Sequence, residues 1–157
     1  MFPIGLWKLL HLFFAFSYVG SLVVAEWNGR AARATNDWSQ RALLYQIAHL
    51  SSRIAGFGGL IMLGIFGNVL AVRSGYSMSQ DTWLMWVNGL WLAAVLSMAL
   101  LSVRYSGQLA TTSKLAAEGG VTTEYSHMLA RWRFGNVLQS VLYLTLLVLM
   151  VLHWKHS

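Results

Sequence analysis

Residues 54–72 read IAGFGGLIMLGIFGNVLAV, and no charged side chain interrupts them. The hydrocarbon core of a bilayer needs about 20 predominantly apolar residues in a helix. Without water, backbone N–H and C=O groups must find their partners inside the segment itself. Residues 134–152 are equally free of charge, and residues 82–103 and 6–25 complete a set of four. Within 6–25 the exceptions are Lys8 near the start and His11 one turn deeper. The expected fold is therefore all-α: a single domain over residues 1–157, forming an integral-membrane four-helix bundle.

Composition points the same way. The chain is 57% hydrophobic and 10% charged, whereas a soluble domain carries about 25% charged residues. Too few polar side chains remain to cover a water-facing surface. The first apolar block exceeds the ~7–15-residue core of a secretory signal and lacks a cleavage site before a polar domain, so it reads as a retained helix.

Three connections separate the spans: two long polar ones, 26–53 and 104–133, and a short turn, 73–81. Helical extensions are expected within the long ones; over 38–53, Ala42, Tyr45 or Gln46, and His49 fall on one side at helical spacing. The long connections hold Arg30, Arg33, Arg41, Arg53, Arg104, Lys114, Arg131 and Arg133, against Lys8, Arg73 and Lys155 on the opposite side. Basic residues concentrate on cytoplasmic loops, which places both termini on the outer, periplasmic side of a bacterial inner membrane. The net charge of +6 follows from that asymmetry, and nucleic acid is not expected as a partner. Trp7, Trp83, Trp86 and Trp154 fall at the outer interface and Trp27 and Trp132 at the inner one, the depth where an apolar ring with a polar N–H is at home.

Chemistry has few places to reside. The absence of cysteine excludes disulfides, iron–sulfur clusters, thiolate metal sites and covalently attached c-type haem. No Asp or Glu lies within a span, which counts against a carboxylate-based pump or ion-coupled transporter. Ala55, Gly56, Gly58, Gly59, Gly64 and Gly67 mark the second span as interior. Small residues allow close helix approach, and they could instead leave room for a flat cofactor.

His11 is the one ionisable group well inside a span, and the face through His11, Ala15, Tyr18 and Leu22 is expected to point inward. Such a histidine either hydrogen-bonds within the bundle or serves as a ligand. His153 closes the fourth span at a similar height, above a stripe of Met150, Leu146, Tyr143 and Gln139. Two imidazoles on packed helices, with axes about 8–10 Å apart, could bracket a haem iron; the alternative makes His153, with Lys155 and His156, a wet interfacial tail. His49 lies at the other mouth of the bundle. A second site with His127 is conceivable there, although surface histidines beside Arg53 and Arg131 are the simpler reading. Met62, Met85, Met98 and Met150 could favour copper(I), but they form no Met-x-x-Met ladder and methionine is a common core filler. Gly119–Gly120 with Thr122–Thr123 reads as a loop break and helix start.

Several short motifs resemble a known group. Leu6-Trp-Lys-Leu-Leu-His11-Leu followed by Tyr18-Val-Gly20 resembles a first-helix signature of Lys-x-x-His and then aromatic-x-Gly. Ala130-Arg-Trp-Arg-Phe-Gly135-Asn leading to Val148-Leu-Met-Val-Leu-His153 resembles the last helix of that group, and Arg53 with the glycine-rich second span resembles its second. Together they resemble a bacterial family of uncharacterised, predicted integral-membrane proteins. It is similar at a distance to the HemJ-type protoporphyrinogen oxidases and the CopD copper-resistance membrane domain. The resemblance implies a four-helix bundle holding b-type haem, with His11 as a ligand. It also departs from the pattern: His153-Trp154 stands where relatives end in Lys-Pro, and the second span lacks a proline often found in HemJ proteins.

The resulting expectation is a b-type haem protein of electron transfer. His11 and His153 are its iron ligands and Tyr18, Tyr143 and Gln139 the groups around them, with quinone or a periplasmic redox partner exchanging electrons. Alternatives are a HemJ-like oxidase, a cofactor-free subunit of a larger membrane complex or homo-oligomer presenting Phe13, Phe14, Phe16 and Trp91, and a copper-handling protein.

Overall fold

The computed structural model describes residues 3–120 and 123–153, the side chain of His153 excepted. Among the described residues the chain is helical throughout, without strands. Four helices are long and apolar enough to cross a membrane: α1 (Ile4–Ala34), α2 (Trp38–Arg73), α3 (Thr82–Ala117) and α4 (Tyr125–His153). They run alternately up and down and pack in sequence order, α1 on α2, α2 on α3 and α3 on α4. One end of the bundle, the termini end, carries Ile4, His153 and the turn after α2. The distal end carries the other two connections.

The helix limits follow local rules. Asp37 caps α2, its carboxylate accepting from the Ser39 N–H at 2.8 Å, so that α1 and α2 are separated by Thr35, Asn36 and Asp37 alone. At the far ends of α2 and α3 the same stop signal recurs. Gly75 and Gly119 adopt φ of +82° and +87°, a region that only glycine enters without strain. The following N–H groups then close back onto the helix, Tyr76 to the Ala71 carbonyl at 3.1 Å and Gly120 to the Leu115 carbonyl at 2.8 Å.

The helical extensions expected in the long connections are present, and they are long. α2 and α3 each contain 36 residues, about 54 Å at 1.5 Å per residue, whereas a hydrocarbon core is about 30 Å thick. Each changes character near its middle at a π-helical segment, Ser52–Gly58 in α2 and Met98–Val103 in α3, and these two segments pack against each other. An inserted residue of this kind rotates the face that a helix presents. On the distal side of the insertions, Trp38–Ser51 and Arg104–Ala117 separate apolar from polar faces; on the other side, Gly59–Arg73 and Thr82–Ser97 are apolar all round.

Two cores result. The distal core contains Ala25, Ala32, Tyr45, Ala48, Leu109, Met128 and Trp132, with Tyr45 and not Gln46 on the buried face. The middle core contains Tyr18, Leu60, Leu63, Ala94 and Met98. Much of the outside is apolar: Phe16 is 74% exposed and Leu152 72%, a surface that lipid can solvate and water cannot. This is a multi-pass membrane protein by the length and composition of its helices.

Three expectations are corrected. Trp132 is not an interfacial anchor: it is completely buried, its ring standing edge-on to Tyr45 at 5.7 Å over Gly29, where a Cβ would lie 2.2 Å from the indole. Trp91 and Phe14 are not free bulk for a partner. The Trp91 indole lies over Gly64 and donates to the Leu60 carbonyl at 2.8 Å, while Phe14 stacks on Phe66 at 5.4 Å. His49 is not a surface histidine, for the reason given below.

Candidate functional site

α1 begins at the termini end and carries His11 along its inward face, so that its imidazole meets α2. Nδ1 of His11 lies 3.2 Å from the Leu63 carbonyl oxygen. A carbonyl only accepts, so Nδ1 bears the proton and Nε2 keeps its lone pair. The ring rests on Gly67, one turn beyond Leu63, where an added Cβ would lie 3.0 Å from Cε1. Glycine leaves the imidazole its place, and an added methyl would press the ring back by a few tenths of an ångström.

The same logic applies along the glycine-rich span. Gly64 makes room for Trp91, Gly56 for Met98 and Ser21, and Gly59 for the backbone of α1 at 3.4 Å from Tyr18 N. These glycines seat protein groups, as close helix packing in a membrane requires. Beside Gly64 and Gly67, which also line it, a cavity of about 420 Å³ lies between the termini-end halves of all four helices. His11, Ala15 and Tyr18 line it from α1, Leu60, Leu63, Gly67 and Asn68 from α2, Trp83, Asn88 and Trp91 from α3, and Tyr143, Leu146 and Met150 from α4. Leu12, Phe16, Leu147 and Val151 also line it while being largely exposed. The cavity therefore opens sideways between α1 and α4, through the apolar surface.

Below the cavity floor, α1, α3 and α4 are tied by one buried polar cluster. The Tyr18 hydroxyl donates to Oε1 of Gln139 at 2.5 Å, and Nε2 of Gln139 donates to the Ala94 carbonyl at 2.9 Å and to Oγ of Ser97 at 2.8 Å. Gln139 is thus placed behind Tyr18, outside the cavity lining, with its amide engaged in holding helices together. Tyr143 stands edge-on to Tyr18 at 6.0 Å and does line the cavity. Above the floor, Asn68 donates to Asn88 at 2.8 Å and closes α2 onto α3. Neither asparagine was singled out by the sequence, although polar amides inside apolar spans are the signal that would have found them.

The structure brings His11, Tyr18, Tyr143 and Met150 together around one space. His153 ends α4 three residues after Met150, and its side chain lies outside the described residues, as do Trp154, Lys155 and His156. Of the methionines, Met98 is core filler at Gly56 and Met85 is exposed. Among the described residues, no three His, Asp or Glu side chains gather as a metal site.

At the distal end, His49 repeats the geometry of His11. Its Nδ1 lies 3.0 Å from the Val103 carbonyl and 3.2 Å from Oγ of Ser106, and its ring rests on Gly107, where a Cβ would lie 3.1 Å from Cε1. His127 is exposed.

The chain matches no protein-family model, no curated protein and no solved structure.

Proposed function

We propose that this protein holds a b-type haem in the cavity at the termini end, with His11 as an iron ligand, and that it transfers electrons in a bacterial inner membrane. The observation that carries the reading is the His11 imidazole. Metal-binding histidines characteristically donate their second ring N–H to a carbonyl or carboxylate, which fixes the tautomer and strengthens the lone pair. Here the Leu63 carbonyl takes that part, Gly67 gives the ring its seat, and the wall beside it is almost wholly apolar.

The residues present fit that group. Ligand cavities usually measure about 300–1,000 Å³, and one of about 420 Å³ lined by tryptophan, leucine and tyrosine suits a flat, largely apolar molecule. A copper ion alone would leave such a volume unfilled, so the copper reading takes second place. A bound haem supplies one-electron redox chemistry at a potential set by its ligands and burial. The chain's own part is to orient the imidazole, exclude water with apolar walls, and place the Tyr18 and Tyr143 hydroxyls near the pocket. The sideways opening between α1 and α4 is where a lipid-dissolved carrier such as a quinone would come close.

The eight basic residues of the two connections at the distal end, against three at the other, support a cytoplasmic distal end. The π-helical segments then lie near the cytoplasmic boundary, and the distal halves of the helices project into water.

Reduced-minus-oxidised spectra of the protein purified in mild detergent provide the test. The expected result is a b-type band that His11→Ala abolishes and His49→Ala leaves in place. Fresh membranes of an overproducing strain that show no such band rule the proposal out.

A further inference from the structure

We infer that the paired amides of Asn68 and Asn88 are the docking point for an uncharged carboxyl group of the molecule in the cavity. For a haem this is one of its propionic acid arms, and the inference rests on the haem reading above. Both asparagines line the cavity, and each amide can stand only one way round. Nδ2 of Asn68 donates to the Gly64 carbonyl at 2.9 Å, and Nδ2 of Asn88 donates to the Leu84 carbonyl at 2.9 Å. A backbone carbonyl only accepts, so in both side chains it is the nitrogen that faces it.

An amide side chain has two N–H donors and an oxygen that accepts. The second N–H of Asn68 goes to Oδ1 of Asn88 at 2.8 Å. Asn68 has then spent both donors, and among the described residues its Oδ1 has no partner. Asn88 keeps one N–H. The pair therefore offers one acceptor and one donor, the complement of a –COOH group, whose O–H donates and whose C=O accepts. A carboxylate does not match, because it has nothing to donate to Asn68. Nor does any Lys or Arg among the described residues line the cavity to balance its charge, and an unpaired charge inside a span is expensive.

The pair stands beside the proposed iron ligand. His11 bonds to the Leu63 carbonyl and Asn68 to the next one, Gly64, while the imidazole rests on Gly67, the neighbour of Asn68 in sequence. An imidazole at the centre of a flat ring and an amide pair at its edge would together fix the ring's rotation in its own plane.

The test uses full-length protein produced without haem, in mild detergent, titrated with haem, haem dimethyl ester and iron etioporphyrin, which has no carboxyl groups. The ester cannot donate to Asn68, and the expected result is binding about tenfold weaker than that of haem, the scale of one lost hydrogen bond. In Asn68→Leu the ratio between haem and ester is expected to fall toward one, with iron etioporphyrin still bound. Partition into detergent is common to both proteins, so the change in ratio reports the contact alone. If Asn68→Leu binds no iron etioporphyrin, Asn88→Ala takes its place. Haem labelled with carbon-13 in its carboxyl groups is expected to give the infrared band of a protonated carboxyl in the wild type, which decides without any variant. A ratio unchanged by the substitution, or the absence of that band from haem-loaded protein, overturns the inference and leaves the haem reading intact. Wild-type protein that binds no haem overturns both.

Discussion

Two histidines, one toward each end of the bundle, are held by the same three-part contact. In each, Nδ1 bonds to a carbonyl of the next helix, Leu63 for His11 and Val103 for His49, and the ring lies on the glycine four residues later, Gly67 or Gly107. Their surroundings are opposite. His49 sits where Trp38–Ser51 and Arg104–Ala117 pack closely beside the aromatic core of Tyr45 and Trp132. His11 sits where Gly59–Arg73 and Thr82–Ser97 touch sparingly and a cavity remains. A histidine's own hydrogen bond therefore does not make it a ligand. Room beside the ring, which His11 has in the cavity it lines, is the further condition that the proposed haem site requires.

The difference has a physical source. The distal helices are amphipathic, and such helices gain by burying their apolar faces against one another. The apolar-all-round halves gain no such drive in lipid, which solvates leucine as well as another helix does. They are held at points, by Gln139, by the Asn68–Asn88 pair and by Trp91 on Leu60, and room persists between the points.

The contrast can be broken most severely at Trp132. Replacing this completely buried ring by alanine empties the distal core and is expected to cost about 3–5 kcal/mol, read as a lower thermal midpoint by circular dichroism in detergent. A change under about 1 kcal/mol would mean that the distal half is not the stable part of the molecule, since truncations of buried aromatic rings regularly exceed that.

The histidines come next. His49→Ala removes a bond from a packed site and is expected to destabilise by about 1–3 kcal/mol. His11→Ala is expected to lower stability less, since its ring already borders a void, and to act on pigment. Equal losses of stability from the two variants would erase the distinction drawn above.

Subtler still is the matched pair of glycines. Gly107→Ala brings a methyl to 3.1 Å from the His49 ring, and the expected cost is about 1–2 kcal/mol, in the range of overpacked cores. In Gly67→Ala the His11 ring can retreat into the cavity, so stability is expected to hold while the haem spectrum shifts. A smaller loss than at Gly107 is expected from Tyr45→Phe, which deletes the 2.9 Å bond between the Tyr45 and Tyr125 hydroxyls. About 0.5–1.5 kcal/mol is the scale for one such bond, and urea titration of the detergent-solubilised protein would resolve it.

Much of this molecule was legible in advance. Four uncharged or nearly uncharged runs had to become helices, because a run of about 20 apolar residues satisfies its backbone within itself only as a helix, and the inward face of α1 through His11 and Tyr18 followed from helical spacing. The burial of Trp132 did not, since its sequence neighbours, Arg131 and Arg133, are those of an interfacial residue. Only Gly29, distant in sequence, makes the room for it. The seat of His49 was hidden for the same reason: Gly107 and the Val103 carbonyl belong to another helix, and a carbonyl leaves no mark in a sequence.

Period, hydropathy and charge, all read along one strand of chain, determined the helices and the number of apolar spans. Which glycine lies beneath which ring, where the helices part and which side chains share the resulting space were decided by tertiary structure alone. Those properties arise between helices, from shapes that meet across 50 or more residues of sequence.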